Sequence, residues 1–139
     1  LFFIQPCFAI KIGLETNVKK TYIGASTSAE IIDCNTNKLI FVMDAMKGYE
    51  FKPHNGVIGI KVDGSYKKIN SNKIVIKPTN DGYISVKKKW YRGHFQLLNS
   101  GEGLTVINDI PIENNKTYLY IFLLYKNSSY NTTYYNFIT

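Results

Sequence analysis

From Ile10 to Ile110 the chain never keeps apolar residues at helical spacing over twelve consecutive positions; it breaks into short apolar runs parted by turn-forming residues. Punctuation this frequent leaves no room for long helices and favours many short antiparallel strands. The runs are Ile10 to Leu14, Val18 to Gly24, Ala29 to Cys34, Lys38 to Met43, Val57 to Val62, Lys73 to Lys77, Tyr83 to Val86, His94 to Leu98 and Leu104 to Ile107. Between them stand Glu15-Thr16-Asn17, Asn35-Thr36-Asn37, Asn55-Gly56, Asp63-Gly64, Asn80-Asp81-Gly82 and the loop Asn99-Ser100-Gly101-Glu102-Gly103, all rich in residues that reverse a chain cheaply. Asn108-Asp109-Ile110-Pro111 reads as a further reversal. The spacing predicts a mainly-β domain of about ten short antiparallel strands, folded as a sandwich or a barrel.

Composition agrees with strands. Eleven Tyr and eight Phe accompany a hydrophobic share of 45% and a charged share of only 19%, which excludes a disordered chain and a coiled coil. The 139 residues fit one domain with a real core, and no apolar run is long enough to span a membrane. The two ends differ from the middle. Leu1 to Ala9 reads as the end of a secretory signal peptide, with small residues Cys7 and Ala9 where cleavage would need them; the alternative is a buried first strand. Export to the outside or to the cell envelope is the expectation. Asn114 to Thr139 uses only Asn, Lys, Thr, Tyr, Leu, Ile, Phe and Ser, and contains no acidic residue.

The net charge of +7 favours polyanionic partners such as anionic wall polymers. The lysines are dispersed, however, with runs only at Lys19-Lys20, Lys67-Lys68 and Lys87-Lys88-Lys89, and exposed edge lysines are common on strand-rich surfaces. No nucleic-acid motif accompanies them, so no nucleic acid is expected as a partner. Catalytic and metal motifs are lacking in the same way. His54 and His94 are forty residues apart, without ligand-spaced Cys or Asp neighbours, so neither a metal nor a cofactor is expected. Cys34 closes an apolar run and reads as a packed thiol rather than a nucleophile. The acidic residues fall mostly in or beside turns, and no pair is marked out as acid and base. Trp90, Tyr91 and Arg92 stand out: a planar guanidinium beside two aromatic rings can bind a sugar or a carboxylate, or pin a strand end. Gly93 follows directly and suggests a bulge or a close backbone approach.

One stretch reaches further. Tyr91-Arg92-Gly93, a strand and hairpin loop, then Leu104-Thr105-Val106-Ile107-Asn108-Asp109-Ile110-Pro111-Ile112-Glu113 resembles the stage II sporulation protein D family, the SpoIID/LytB domain. In that family a Y-R-G strand leads through a hairpin to L-x-V-I-N-x-[IL]-P-[IL]-E. Ile10 to Leu14 also looks like its opening I-R-V-G-L strand. The motif residues that match are Tyr91, Arg92, Gly93, Val106, Ile107, Asn108, Pro111 and Glu113. The resemblance implies the β-rich front part, residues 10–113, of a larger α+β domain acting on peptidoglycan. It also implies glycan strands or other wall polyanions as ligand, and a wall hydrolase as possible partner. The family's lytic transglycosylase acid, the Glu of P-S-E-M, has no counterpart after Glu113, so no catalytic residue carries over and the chain is expected to be inactive by itself.

The residue types of 114–139 are those of A/T-rich codons, which raises a frameshift just after Glu113 as one origin of this segment; a genuine strand-forming tail is the other. Resequencing the locus decides between them. The frameshift predicts P-S-E-M in another frame downstream, whereas an intact frame running to a natural stop rules it out.

Overall fold

The computed structural model describes residues 9–111, and its architecture follows from strand alternation. The elements are β1 (Ala9–Val18), β2 (Thr21–Ala25), β3 (Ala29–Asp33), β4 (Leu39–Met43), β5 (Gly48–His54), β6 (Val57–Val62), β7 (Ser65–Ile69), β8 (Lys73–Pro78), β9 (Ile84–Val86), β10 (Lys89–Tyr91), β11 (His94–Asn99) and β12 (Leu104–Pro111), with no helix among the described residues. They form two open six-stranded sheets. The first runs β1-β12-β11-β8-β3-β4 and the second β10-β9-β2-β5-β6-β7, every neighbouring pair being antiparallel. The mainly-β expectation holds, as a sandwich rather than a closed barrel. Of the proposed signal-peptide end 1–9, residues 1–8 lie outside the described residues while Ala9 opens β1; Glu113 and the tail 114–139 also lie outside them.

One face of each sheet is apolar, and the two faces bury each other. Ile23, Phe51, Ile58 and Ile84 of the second sheet share a core with Ile31, Ile74, Ile76, Phe95, Leu97 and Val106 of the first, all fully buried. Each such side chain contributes roughly 1.5–3 kcal/mol of burial. The chain repeatedly crosses from one sheet to the other, for example from β1 to β2 and from β10 to β11. The β1–β2 crossover falls inside one of the apolar runs. Val18 to Gly24 is therefore two strand ends parted at Lys19-Lys20, where the chain leaves the first sheet for the second.

Two expected turns are not turns. Asn108 to Pro111 continues β12 as an extended strand, paired with both β1 and β11. The reason lies in its alternation: Asn108 and Ile110 extend the buried series begun by Leu104 and Val106, and Pro111 sits at the strand end where a missing N–H costs nothing in the ladder. Glu15 to Asn17 is a bulged part of β1. Its register against β12 shifts between Gly13 and Glu15 and again before Val18, and Asn17 takes a left-handed φ of 52°. Three strands lack a clear signal in the sequence. β5 contains Gly48 and Pro53, β7 is dominated by polar residues, and β10 begins inside a lysine run. Pro53 is tolerated because it lies beyond the last β2–β5 pair, Thr21↔Phe51, and needs a partner only on its β6 side.

The approach expected at Gly93 is present. Its φ is 86°, and a β-carbon there would stand 2.4 Å from the Asp109 carbonyl oxygen of β12. Asn108 locks the same crossover, its Nδ2 donating to the carbonyls of Arg92 at 2.8 Å and of His94 at 3.2 Å. Gly56 has a similar φ of 81° in the β5–β6 turn, but open space around it. Gly56→Ala should therefore cost only the φ penalty, about 1–2 kcal/mol. Gly93→Ala should cost at least about 1 kcal/mol more through backbone displacement. Urea denaturation of the two variants checks this; equal losses would contradict the close packing of the crossover on β12.

Candidate functional site

The inward residues of the second sheet fix which side chains must face solvent. Ile23 in β2, Tyr49 and Phe51 in β5, Ile84 and Val86 in β9, and Tyr91 in β10 are all buried in the core. With a period of two, their neighbours Tyr22, Gly24, Gly48, Glu50, Ser85 and Trp90 occupy the opposite face. The register aligns four of them in one row, Trp90↔Ser85↔Gly24↔Gly48. Neighbouring strands are about 4.8 Å apart, so the row crosses roughly 14 Å of sheet. Past Ser85 it carries no side chain at all. The result is a shallow trough floored by backbone, with Trp90 (47% exposed) at one end and Tyr22 (57% exposed) beside it on β2.

A depression of about 430 Å³ opens on this trough. Its walls include Tyr22, Glu15, Lys20, Lys87 and Lys88, and its floor Gly24 and Ser85. Glu15 reaches it from β1 across the crossover: the Thr21 hydroxyl donates to its Oε1, and Lys87 Nζ stands 3.5 Å from Oε2. Lys87 and Lys88 form the two-residue β9–β10 turn, with φ of 52° and 62°. That conformation is the one Asn-Gly takes without strain, and two lysines hold it here at a cost of about 1–2 kcal/mol each. The strained turn thus brings Lys87 and Lys88 into the lining of the depression.

On the other side of Tyr22 lies a second depression, about 330 Å³, bounded by Lys47, Gly48, Glu50, Lys61, Asp63 and Gly64. Glu50 is its centre. The carboxylate is 92% buried, accepts the Tyr22 hydroxyl proton at 2.5 Å on Oε1, and pairs with Lys20 at 3.7 Å on the same oxygen. Its Oε2 is buried and accepts no hydrogen bond. The Tyr22 bond, reinforced by the Lys20 and Lys61 charges, holds the Glu50 carboxyl below its usual range, while the same bond raises the Tyr22 phenol. Glu50 is thus a fixed anion and acceptor rather than a proton donor.

The sequence candidates divide. Trp90 is outward on β10 and exposed, whereas Tyr91 is turned inward, buried, and packed on Phe95 with ring centroids 5.8 Å apart. Tyr91 therefore cannot offer a stacking face beside Trp90. Arg92 is half-buried at the crossover that Asn108 clamps. Of the other motif residues, Val106 and Asn108 are buried, Ile107 lies on the outer face of the first sheet, and Pro111 pairs with Ala9. Tyr22, Glu15 and Glu50 join the site from three separate strands, and only the register brings them together. Among the described residues no group of three His, Cys, Asp or Glu stands together as metal ligands. His54 ends β5 and His94 begins β11, in different sheets. Cys34 is a free, half-buried thiol whose pKa burial pushes up, which disfavours the thiolate a nucleophile needs.

Comparison with family models, with curated proteins and with solved structures finds no match to this chain.

The Glu50 geometry sets a pH dependence. A carboxyl whose folded pKa is lowered stabilises the fold fully above the unfolded value, about 4.3 for Glu, and the stabilisation is lost as pH falls through the folded value. Glu50→Gln should be less stable than the wild type by a constant amount from pH 7 down to about 5, with the gap closing at lower pH. Denaturation midpoints measured across that window check it. A gap that widens on acidification would contradict the assignment.

Proposed function

We propose that this chain is a non-catalytic glycan-binding domain that engages wall polysaccharide through the outer face of its second sheet. The observation that carries the reading is the shallow trough beside Tyr22, where the outward row from Trp90 through Ser85 ends on Gly24 and Gly48. A pyranose ring has an apolar C–H face and a rim of hydroxyls. An exposed aromatic ring takes the former, and fixed carboxylates and ammonium groups take the latter. Trp90 and Tyr22 supply the rings, while Glu15, Glu50, Ser85, Lys20 and Lys87 supply acceptors and donors within the same face. Lysines interleaved with aromatics also suit single-stranded nucleic acid. Two buried carboxylates flanking Tyr22 disfavour a run of phosphates there, and this favours a hydroxylated polymer over nucleic acid.

The resemblance to the SpoIID/LytB family bears on where such a domain works, namely as the front part of a secreted or envelope-bound peptidoglycan-acting protein. The hairpin of β11 and β12, entered through Tyr91-Arg92-Gly93, is the arrangement that resemblance implies, and it supports this reading.

The test is co-sedimentation of the full chain with denuded peptidoglycan glycan strands. The chain should sediment without releasing anhydro-muropeptides. Trp90→Ala and Tyr22→Ala should each weaken binding by about tenfold or more, as loss of an aromatic anchor does. Unchanged binding by both variants removes the proposed face, released anhydro-muropeptides contradict the absence of catalysis, and preferential capture by single-stranded RNA replaces glycan with nucleic acid.

A further inference from the structure

We infer that the depression centred on Glu50 is a subsite for the acetamido group of an N-acetylated sugar. The inference rests on the glycan-binding reading above and names the sugar class that this face selects.

A buried carboxylate oxygen without a hydrogen-bond donor is costly, and native structures rarely leave one so. Glu50 Oε2 is such an oxygen, while Oε1 of the same carboxylate is served by Tyr22 and Lys20. Glu50 lines the depression together with Lys47 and Lys61, and its unserved oxygen is buried beneath that surface. An acceptor and ammonium donors around one small hollow complement a secondary amide, whose N–H gives to Glu50 Oε2 while its C=O accepts from a lysine.

Charge argues for a neutral group rather than an anion or a cation. Lys20 is paired with Glu50 at 3.7 Å and Lys47 with Asp63 at 3.8 Å, so two of the three ammonium charges nearest the hollow are offset. A cationic amine would meet Lys20, Lys47 and Lys61 together, and a carboxylate or phosphate would meet both Glu50 and Asp63. Lys61 lies one step beyond the Phe51↔Ile60 pair, across from Glu50 on β6, and is exposed. Side-chain rotation of an exposed lysine takes nanoseconds or less, so Lys61 can turn toward a ligand without a backbone change. Tyr22 separates this hollow from the trough and belongs to the walls of both depressions. A sugar stacked on Tyr22 thus has its ring over one hollow and a substituent within reach of the other.

The experiment compares two oligosaccharides with the same β-1,4-linked backbone, chitohexaose and cellohexaose, which differ only in the 2-acetamido group. Calorimetric titration of the full chain should give at least about tenfold tighter binding of chitohexaose, the worth of a hydrogen bond to a charged group. Glu50→Ala should bring that ratio below about threefold. Lys61→Met, which leaves the Tyr22–Glu50 bond in place, should lower it in the same direction. Trp90→Ala should weaken both ligands together and leave the ratio standing. Equal wild-type affinity for the two sugars, with both still sensitive to Trp90→Ala, overturns the acetamido subsite alone. A ratio unchanged in both Glu50→Ala and Lys61→Met also overturns it. Failure of both sugars to bind overturns the glycan reading and the subsite together.

Discussion

Burial of Ile23, Tyr49, Phe51, Ile84, Val86 and Tyr91 in one apolar layer directs every other side chain of these strands to solvent. The outer face is in this sense a by-product of the core. Once Ile23 and Phe51 are inside, Tyr22 and Glu50 must share the other side, and the antiparallel register brings their strands together through Thr21↔Phe51 and Ile23↔Tyr49. A slip of one residue in β2 would bury Tyr22 and expose Ile23, at a cost no surface contact could offset. The face proposed for glycan binding is therefore built on the sandwich beneath it, which suits recognition of a stiff polymer with little ordering cost on the protein side.

Two departures from easy folding lie on that face. Lys87 and Lys88 hold a turn that Asn-Gly would hold without strain, and the buried Glu50 carries an oxygen that accepts nothing. Glu15 is brought from the first sheet to the edge of the second by Thr21 and Lys87, so the crossover between sheets is itself part of the wall. By contrast, the buried carboxylate elsewhere is fully served. Asp33 accepts from the Asn35 amide at 2.9 Å, the Ser71 hydroxyl at 2.7 Å and the Thr36 hydroxyl at 2.9 Å, which together hold its pKa low and close the β3–β4 turn. Among the described residues Asn108 Oδ1, in β12 of the first sheet, is the other buried side-chain oxygen without a donor, so it is the combination of an unserved carboxylate with a strained turn that distinguishes the outer face of the second sheet.

The strand pattern was legible wherever apolar residues alternate between turn dipeptides. Val57 to Val62 between Asn55-Gly56 and Asp63-Gly64 is β6, with both turns at the expected positive φ. Legibility failed where tertiary pairing outweighs local preference. Asn108 and Asp109 favour turns, yet core packing of Asn108 and Ile110 keeps them extended, and β7 is held as a strand by pairing with β6 despite its lysines. Trp90 could be singled out because it is the only tryptophan and lies beside the only arginine. Its partners could not. Tyr22 lies 68 positions earlier, and only the order β10-β9-β2-β5 brings it onto the same face. Tyr91 illustrates the converse: adjacent in sequence to Trp90, it points the opposite way because strands alternate.

Trp90 also provides the most direct test of the central claim, since any tryptophan fluorescence from this chain reports that one position. Titration of the full chain with an N-acetylglucosamine oligomer should give a saturable blue shift as a sugar ring replaces water over the indole. An emission spectrum unchanged throughout the titration, in a chain whose denaturation transition confirms it folded, would contradict the account.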